Sequence, residues 1–299
     1  MSRSVKAAGF TLVELIVAIV ITAIVASLLV LFLNAPLQSY FAQTTSSDLT
    51  DSANHIADAV TADVRTALPN SMRIRIVGSR AALELLATEG IARYYGQGDN
   101  PSNPGEELVI GNPVPAFATL DSFTSQPIPP RPYLSVGNLG TTASPPFGTS
   151  ASPQYDAYVG GNGAMTPART RVTVGTNPGF PGENLVTLTP RMTFQAPGAP
   201  ATQPSVHNAY LVSGPVSYVC DSTAGTFTRY SGYGVAAVQP VAPGGTSALI
   251  ARNVAACTMS IVSAPSSYAY GELAILTVTL SSGSENLQVF LEAPAEYTQ

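Results

Sequence analysis

The sequence predicts an α+β fold in which one long N-terminal helix accompanies an antiparallel, β-rich head with long loops. Three observations carry this reading. An apolar run from Leu12 to Leu33 is followed by helix-spaced apolar positions to Leu68, the pattern changes to period two at Met72, and the C-terminal third alternates in short strand-like segments.

Within Leu12 to Leu33 the only charged side chain is Glu14. At 1.5 Å per residue such a helix crosses a hydrocarbon layer about 30 Å thick. Arg3 and Lys6 precede the run and no charge follows it before Asp48. The positive-inside rule therefore leaves the first residues in the cytoplasm and sends the remaining chain outward. The run exceeds the apolar core of about 7–15 residues expected of a secretory signal peptide. Ala18, Thr22 and Ala26 recur at four-residue spacing, with Ala23 and Ser27 on the next row, a pattern that lets membrane helices approach closely.

From Leu37 to Leu68 the helix continues with a different face. Leu49, Ala53, Ile56, Val60, Val64 and Ala67 form an apolar stripe that Asp48, Asp51, Asp58 and Asp63 avoid, as expected of an amphipathic helix laid on a domain. The halves meet at Asn34-Ala35-Pro36, where the missing proline donor predicts a kink or a locally opened segment near Phe32 to Pro36. Pro69-Asn70 ends the helix.

In the head, Met72, Ile74 and Ile76 alternate with Arg73 and Arg75 as a strand, and Ala82 to Leu86 and Ile91 to Tyr95 flank Thr88-Glu89-Gly90 as a hairpin. From Gly96 to about Pro204, dense Gly, Pro, Ser and Asn predict an insertion of turns and long loops rather than a second core. Its strand-like islands are Glu107 to Ile110, Arg171 to Val174 and Asn184 to Leu188. Further strands are expected at Ala209 to Val212, Val216 to Cys220, Thr226 to Tyr230 and Cys257 to Val262. A closing hairpin follows from Leu273 to Leu280 and Leu287 to Leu291 around Ser282-Gly283. Cys220 and Cys257 are the only cysteines, and in an exported chain a disulfide is the default. A redox or metal pair is the alternative, but there is no Cys-x-x-Cys, and His55 and His207 lie in unrelated contexts.

Composition narrows the function. Only 10% of residues are charged, against about 25% in ordinary soluble proteins, so Ser, Thr, Asn, Gln and Gly must dress the surface. The formal charge of −5 becomes −7 once Arg3 and Lys6 are removed, which disfavours nucleic acid as a partner. His55 with Asp51 and Asp58 shares a helix face but lacks a fourth metal ligand. No serine has an evident general base, and Gly90, Gly96 and Gly98 do not open a helix after a strand. No catalytic residue, metal site or cofactor is expected. Tyr94, Tyr95, Tyr155, Tyr158, Tyr268 and Tyr270 fit half-buried sheet packing, with a stacking surface as the alternative.

A glycine, an aromatic and a lone carboxylate one turn later, here Gly9, Phe10 and Glu14, resemble the type IV prepilin leader. The resemblance implies a pilin-like fold, cleavage between Gly9 and Phe10 by prepilin peptidase, N-methylation of Phe10, and a salt bridge from Glu14 to the freed amino group of a neighbouring subunit during assembly. It divides the chain into a leader (1–9), a transmembrane helix half (10–35), an amphipathic half (36–69) and a periplasmic head (70–299) with the insertion at about 96–204. Gly214 to Asp221, Gly225 to Tyr230 and Ala255-Ala256-Cys257 resemble the distal part of the O-type minor pilin of mannose-sensitive haemagglutinin (MSHA) pilus systems, and less closely the J-type minor pseudopilins of type II secretion. The implied role is a non-enzymatic minor pilin in the inner membrane, later in a pilus or pseudopilus. Its partners would be prepilin peptidase, other major and minor pilins and the inner-membrane assembly platform. A type II secretion pseudopilin, a tip adhesin or receptor subunit, and a tethered enzyme are the alternatives.

Overall fold

The computed structural model describes residues 11–100, 102–123, 132–138, 140, 155–159, 163–195, 207–263 and 272–295. Among the described residues the one α-helix, α1, covers Leu12–Arg65 in 54 residues. The chain divides into two units, Met1–Thr50 and Asp51–Gln299. In the first, the backbone stays helical through Asn34-Ala35-Pro36, so the expected opening is not found. Proline removes one i→i−4 hydrogen bond there without ending the helix.

In the second unit, the last turns of α1 bury Ile56, Val60 and Val64 completely while Asp51, His55 and Asp58 stay exposed, as the stripe predicts. The helix stops at Arg65, a turn earlier than Pro69, and Ala67 bridges to Ala87. Strands β1 (Arg73–Val77) and β2 (Arg80–Arg93) form the first hairpin. It turns at Gly78, whose φ of 59° lies in the left-handed region that glycine occupies without penalty.

Strands β3 (Pro113–Ala118), β4 (Tyr133–Val136), β5 (Arg171–Thr176) and β6 (Asn184–Thr193) come from the Gly/Pro-rich middle. Strands β7 (Asn208–Asp221), β8 (Thr226–Ser231), β9 (Thr246–Arg252), β10 (Val254–Ser263), β11 (Glu272–Ser282) and β12 (Glu285–Pro294) complete the head. They form three antiparallel sheets. The largest has the order β1-β2-β7-β8-β9, with β4 also on β7, and the smaller two are β10-β11-β12 and β3-β6-β5.

Two expectations are corrected. Ala82 to Leu86 and Ile91 to Tyr95 are not the arms of a hairpin. Ala82 to Leu86 and Ile91 to Arg93 belong to one strand, β2, with Tyr94 and Tyr95 just beyond its end, and its register against β7 shifts at Ala87/Thr88 and again at Thr88/Gly90. The residues read as a turn are β-bulges, which absorb extra residues without ending the strand. The middle segment also has a core. Leu108, Ile110, Val114, Phe117, Leu134, Val186 and Phe194 are buried together with Ala92 of β2, Tyr94 just after it, and Ala209 and Leu211 of β7. Glu107 to Ile110 supplies part of that core as irregular chain after a 3-10 turn at Pro104–Glu106, not as a strand.

Register assigns the faces of the main sheet. Ala81, Leu83 and Leu85 lie opposite Cys220, Tyr218 and Val216, all on one side. Tyr218 Oη reaches the Ala59 carbonyl of α1 at 2.6 Å, so this side carries the helix. Cys220 on the same side is disulfide-bonded to Cys257 of β10, with Cα atoms 6.5 Å apart. The default pairing expected of the two cysteines is the one found, and it ties the C-terminal sheet to the main one.

Candidate functional site

The N-terminal segment is the candidate site. Thr11 is the N-cap of α1: its Oγ1 accepts the Glu14 N–H at 3.3 Å, and its carbonyl accepts the Leu15 N–H at 3.2 Å as the first helical bond. Thr11-Leu12-Val13-Glu14 has the spacing of a capping box, and Glu14 puts a negative charge in the first turn, where the helix dipole favours it. Gly9 and Phe10 lie outside the described residues.

Leu12–Val30 is long and apolar enough to cross a membrane, and none of it is buried within the chain. Its two hydroxyl side chains bond to the preceding turn. Thr22 Oγ1 donates to the Ala18 carbonyl at 2.7 Å and Ser27 Oγ to the Ala23 carbonyl at 2.8 Å, so neither hydroxyl presents an unpaired donor to lipid. Ala18, Thr22, Ala23 and Ala26 line a shallow groove with Ile19 on the helix surface.

Among the described residues of the head, no group of three or more His, Cys, Asp or Glu side chains is placed to hold a metal. Of the tyrosines weighed as a binding surface, Tyr94 and Tyr158 are core residues at 1% and 3% exposure, and Tyr268 and Tyr270 lie outside the described residues.

Two polar clusters were not anticipated. Glu84, fully buried in β2, accepts from Arg73 Nη2 at 2.5 Å and Nε at 3.0 Å. Ser217 Oγ and Tyr233 Oη each lie 3.2 Å from its other oxygen. The Arg73 guanidinium also stacks 3.5 Å over the Tyr158 ring and donates to the carbonyls of Ala236 and Ala237. Burial pushes the Glu84 carboxyl up, and Arg73 beside it pulls the other way. Ser217 Oγ and Tyr233 Oη are also 2.7 Å apart, so the carboxylate is the centre of a connected network that pins β1, β2, β7 and the segment after β8 together. A lone Glu inside the apolar run Ala82 to Leu86, opposite Arg73 on the preceding strand, was the signal available in the sequence.

The second cluster joins α1 to the sheet. Arg229 grips Asp63 through Nε at 2.6 Å and Nη2 at 3.1 Å, and Tyr218 Oη lies 2.5 Å from the same carboxylate. Burial first, and then the Asp63 charge, push the Tyr218 phenol well above its ordinary range, so it stays a hydrogen-bond donor. Asp63 stands one turn from Ala59, so the clamp fixes the axial position of this helix segment on the strands.

A sequence profile described as the Prokaryotic N-terminal methylation motif matches residues 5–30. No curated protein and no solved structure matches the chain. The profile spans the capped helix start and the membrane-length run together. Residues 5–30 are thus a type IV prepilin-like N-terminal methylation motif, carried on a helix that can cross a membrane.

Proposed function

We propose that this chain is a minor pilin or pseudopilin: a structural subunit that prepilin peptidase cleaves between Gly9 and Phe10, that is N-methylated at Phe10, and that joins or initiates a type IV, MSHA-like filament. The observation that carries this reading is the methylation motif at residues 5–30 on a membrane-length apolar helix that is exposed among the described residues. A carboxylate at Glu14 is costly in the bilayer unless paired. In an assembly of parallel helices the freed Phe10 amine of a neighbouring subunit supplies that partner. Other pilins would cover the remainder of the helix, and the inner-membrane platform would drive assembly from a stored form with the N-terminus cytoplasmic and the head periplasmic. A head of about 230 residues suits a low-copy subunit better than the repeating unit of a thin filament.

Mass spectrometry of the N-terminal peptide from native membranes tests the reading. A chain starting at N-methyl-Phe10 is expected; a chain retaining Met1 to Gly9, or cut after the apolar run, refutes it.

A further inference from the structure

We propose that the outward face of β5 and β6 binds an acidic polysaccharide through Arg169, Arg171 and Arg191. The proposal stands independently of the prepilin reading.

Strand pairing fixes the side on which these residues lie. Val172 is opposite Leu188, and both are buried in the core shared with β3. Side chains alternate along a strand, so the neighbouring pair, Arg171 and Thr189, points away from that core. Both are exposed. Arg191 precedes the buried Met192 on β6 and is exposed in the same way. Arg171 and Arg191 are therefore diagonal neighbours on one face, about 7–8 Å apart. Arg169 stands exposed in the turn that enters β5, where the Thr170 N–H donates to the Pro167 carbonyl at 2.8 Å.

These arginines differ from those that hold the head together. Arg73, Arg80, Arg93 and Arg229 are each held by a carboxylate, and Arg75 donates to the Gln239 carbonyl. Among the described residues, Arg169, Arg171 and Arg191 have no ion pair and no side-chain hydrogen bond. The carboxylate of the same hairpin, Glu183, lies just before β6, about 20 Å from Thr189 along the strand. It is already bonded to Tyr95 and Asn177. Outside the described residues the sequence has one acidic side chain, Glu296. Three cations thus gather on one face of a chain whose formal charge is −5. Like charges side by side on a sheet are destabilising, and an external anion relieves that repulsion.

The rest of the face selects the kind of anion. Protein interfaces are anchored by large aromatic or apolar side chains, and single-stranded nucleic acid by aromatic platforms. No exposed residue of β5 or β6 is aromatic or large and apolar. Thr173 and Thr189 present hydroxyls there instead. Duplex DNA carries one charge per about 1.7 Å of axis, a density that the negative charge of the whole chain opposes. A polysaccharide with a carboxylate on each sugar, or on every second one, is more sparsely charged. Its carboxylates suit the guanidinium fork, which binds them through two parallel bonds, and its hydroxyls suit the threonines.

The full-length chain in neutral detergent micelles is titrated with alginate oligosaccharides, and in parallel with dextran, poly-glutamate and single-stranded DNA. Wild type is expected to bind alginate but not dextran, and to release it in 1 M salt, where the screening length is about 3 Å. Arg171→Gln/Arg191→Gln should weaken binding by about tenfold, Arg169→Gln by about threefold, and Arg252→Gln, on the edge strand β9, by less than about twofold. All of these variants should melt with the wild type, because the substituted side chains are exposed. No alginate binding by the wild type, equal binding of dextran, or unchanged affinity in the double variant overturns the proposal. Tighter binding of poly-glutamate or of single-stranded DNA than of alginate also overturns it, and assigns the face to an acidic protein or to nucleic acid.

Discussion

Replacing Arg73 with methionine isolates the buried ion pair of the head. The Arg73 side chain is 11% exposed and that of Glu84 1%, so the substitution strands an ionised carboxylate with only Ser217 and Tyr233 to satisfy it. Removing one partner of such a pair costs about 3–5 kcal/mol. The lost bonds to the Ala236 and Ala237 carbonyls add about 1 kcal/mol in all, since water replaces them. For a head of this size the melting temperature falls by on the order of 10 °C. The cost depends on pH. The folded Glu84 pKa is already raised, so this group's stabilising contribution is present below its unfolded pKa and lost as pH rises through the folded value. Without Arg73 the folded pKa rises further. The difference between wild type and variant is therefore largest at neutral pH and shrinks as pH falls toward the ordinary glutamate range. Thermal unfolding of the full chain in detergent at several pH values reads this difference, and Arg73→Met/Glu84→Met should recover most of the loss because no charge is left buried. A loss independent of pH, or a double variant as unstable as the single one, would refute the reasoning.

Three further outcomes are expected. Cys220→Ala/Cys257→Ala removes a cross-link spanning 37 residues and should destabilise the head by about 4 kcal/mol in the chain-entropy model, read as a lower denaturation midpoint that reductant reproduces in the wild type. Gly245→Ala should cost about 1–2 kcal/mol, because φ is +82° and the new Cβ would meet the Ser231 carbonyl and lie 2.9 Å from the Gly232 carbonyl carbon, whereas Gly244→Ala next to it meets open space and should be neutral. Glu14→Ala should leave membrane insertion and cleavage largely intact but impair incorporation into filaments in a complementation assay; normal incorporation would contradict the pairing role given to Glu14.

The parts of the fold legible in the sequence are those where one periodicity persists. The apolar stripe of α1, the alternation in β11 and β12, and the turn at Gly283, with φ of 62°, appear where their patterns place them. Strand β9 was missed because Thr246 to Leu249 lies exposed at the edge of its sheet and has no buried face to impose alternation. The Glu84 pin was missed because a buried carboxylate is explained only by what surrounds it, and Tyr158, Ser217 and Tyr233 come from segments 74 to 149 positions away in the chain. At the N-terminus the reverse holds. The cap, the carboxylate and the apolar run are contiguous, so local sequence specifies them.

The middle segment escaped the sequence reading for a reason built into β2 and β7. These two strands, 14 residues each, pair along their whole length and serve two cores in turn. Their first stretch, Ala81 to Leu86 against Pro215 to Cys220, packs beneath α1 on one side and around the Glu84 cluster on the other. Their second stretch contributes Ala92, Ala209 and Leu211, with Tyr94 just beyond β2, to the core shared with β3, β5 and β6. The changeover falls at the bulges of Ala87 to Gly90 and at Gly214, whose φ of 140° is open to glycine. A one-residue shift of register reverses which side chains face which layer. Alternation read along either strand therefore breaks midway, and each half looks like a separate short strand next to a turn. The same device explains how strands β3, β5 and β6, from a Gly/Pro-rich segment with little apolar pattern of its own, share a core, since part of that core is supplied by strands that belong to the main sheet. The described part of the insertion is thus seated on β2 and β7, which are shared with the main sheet.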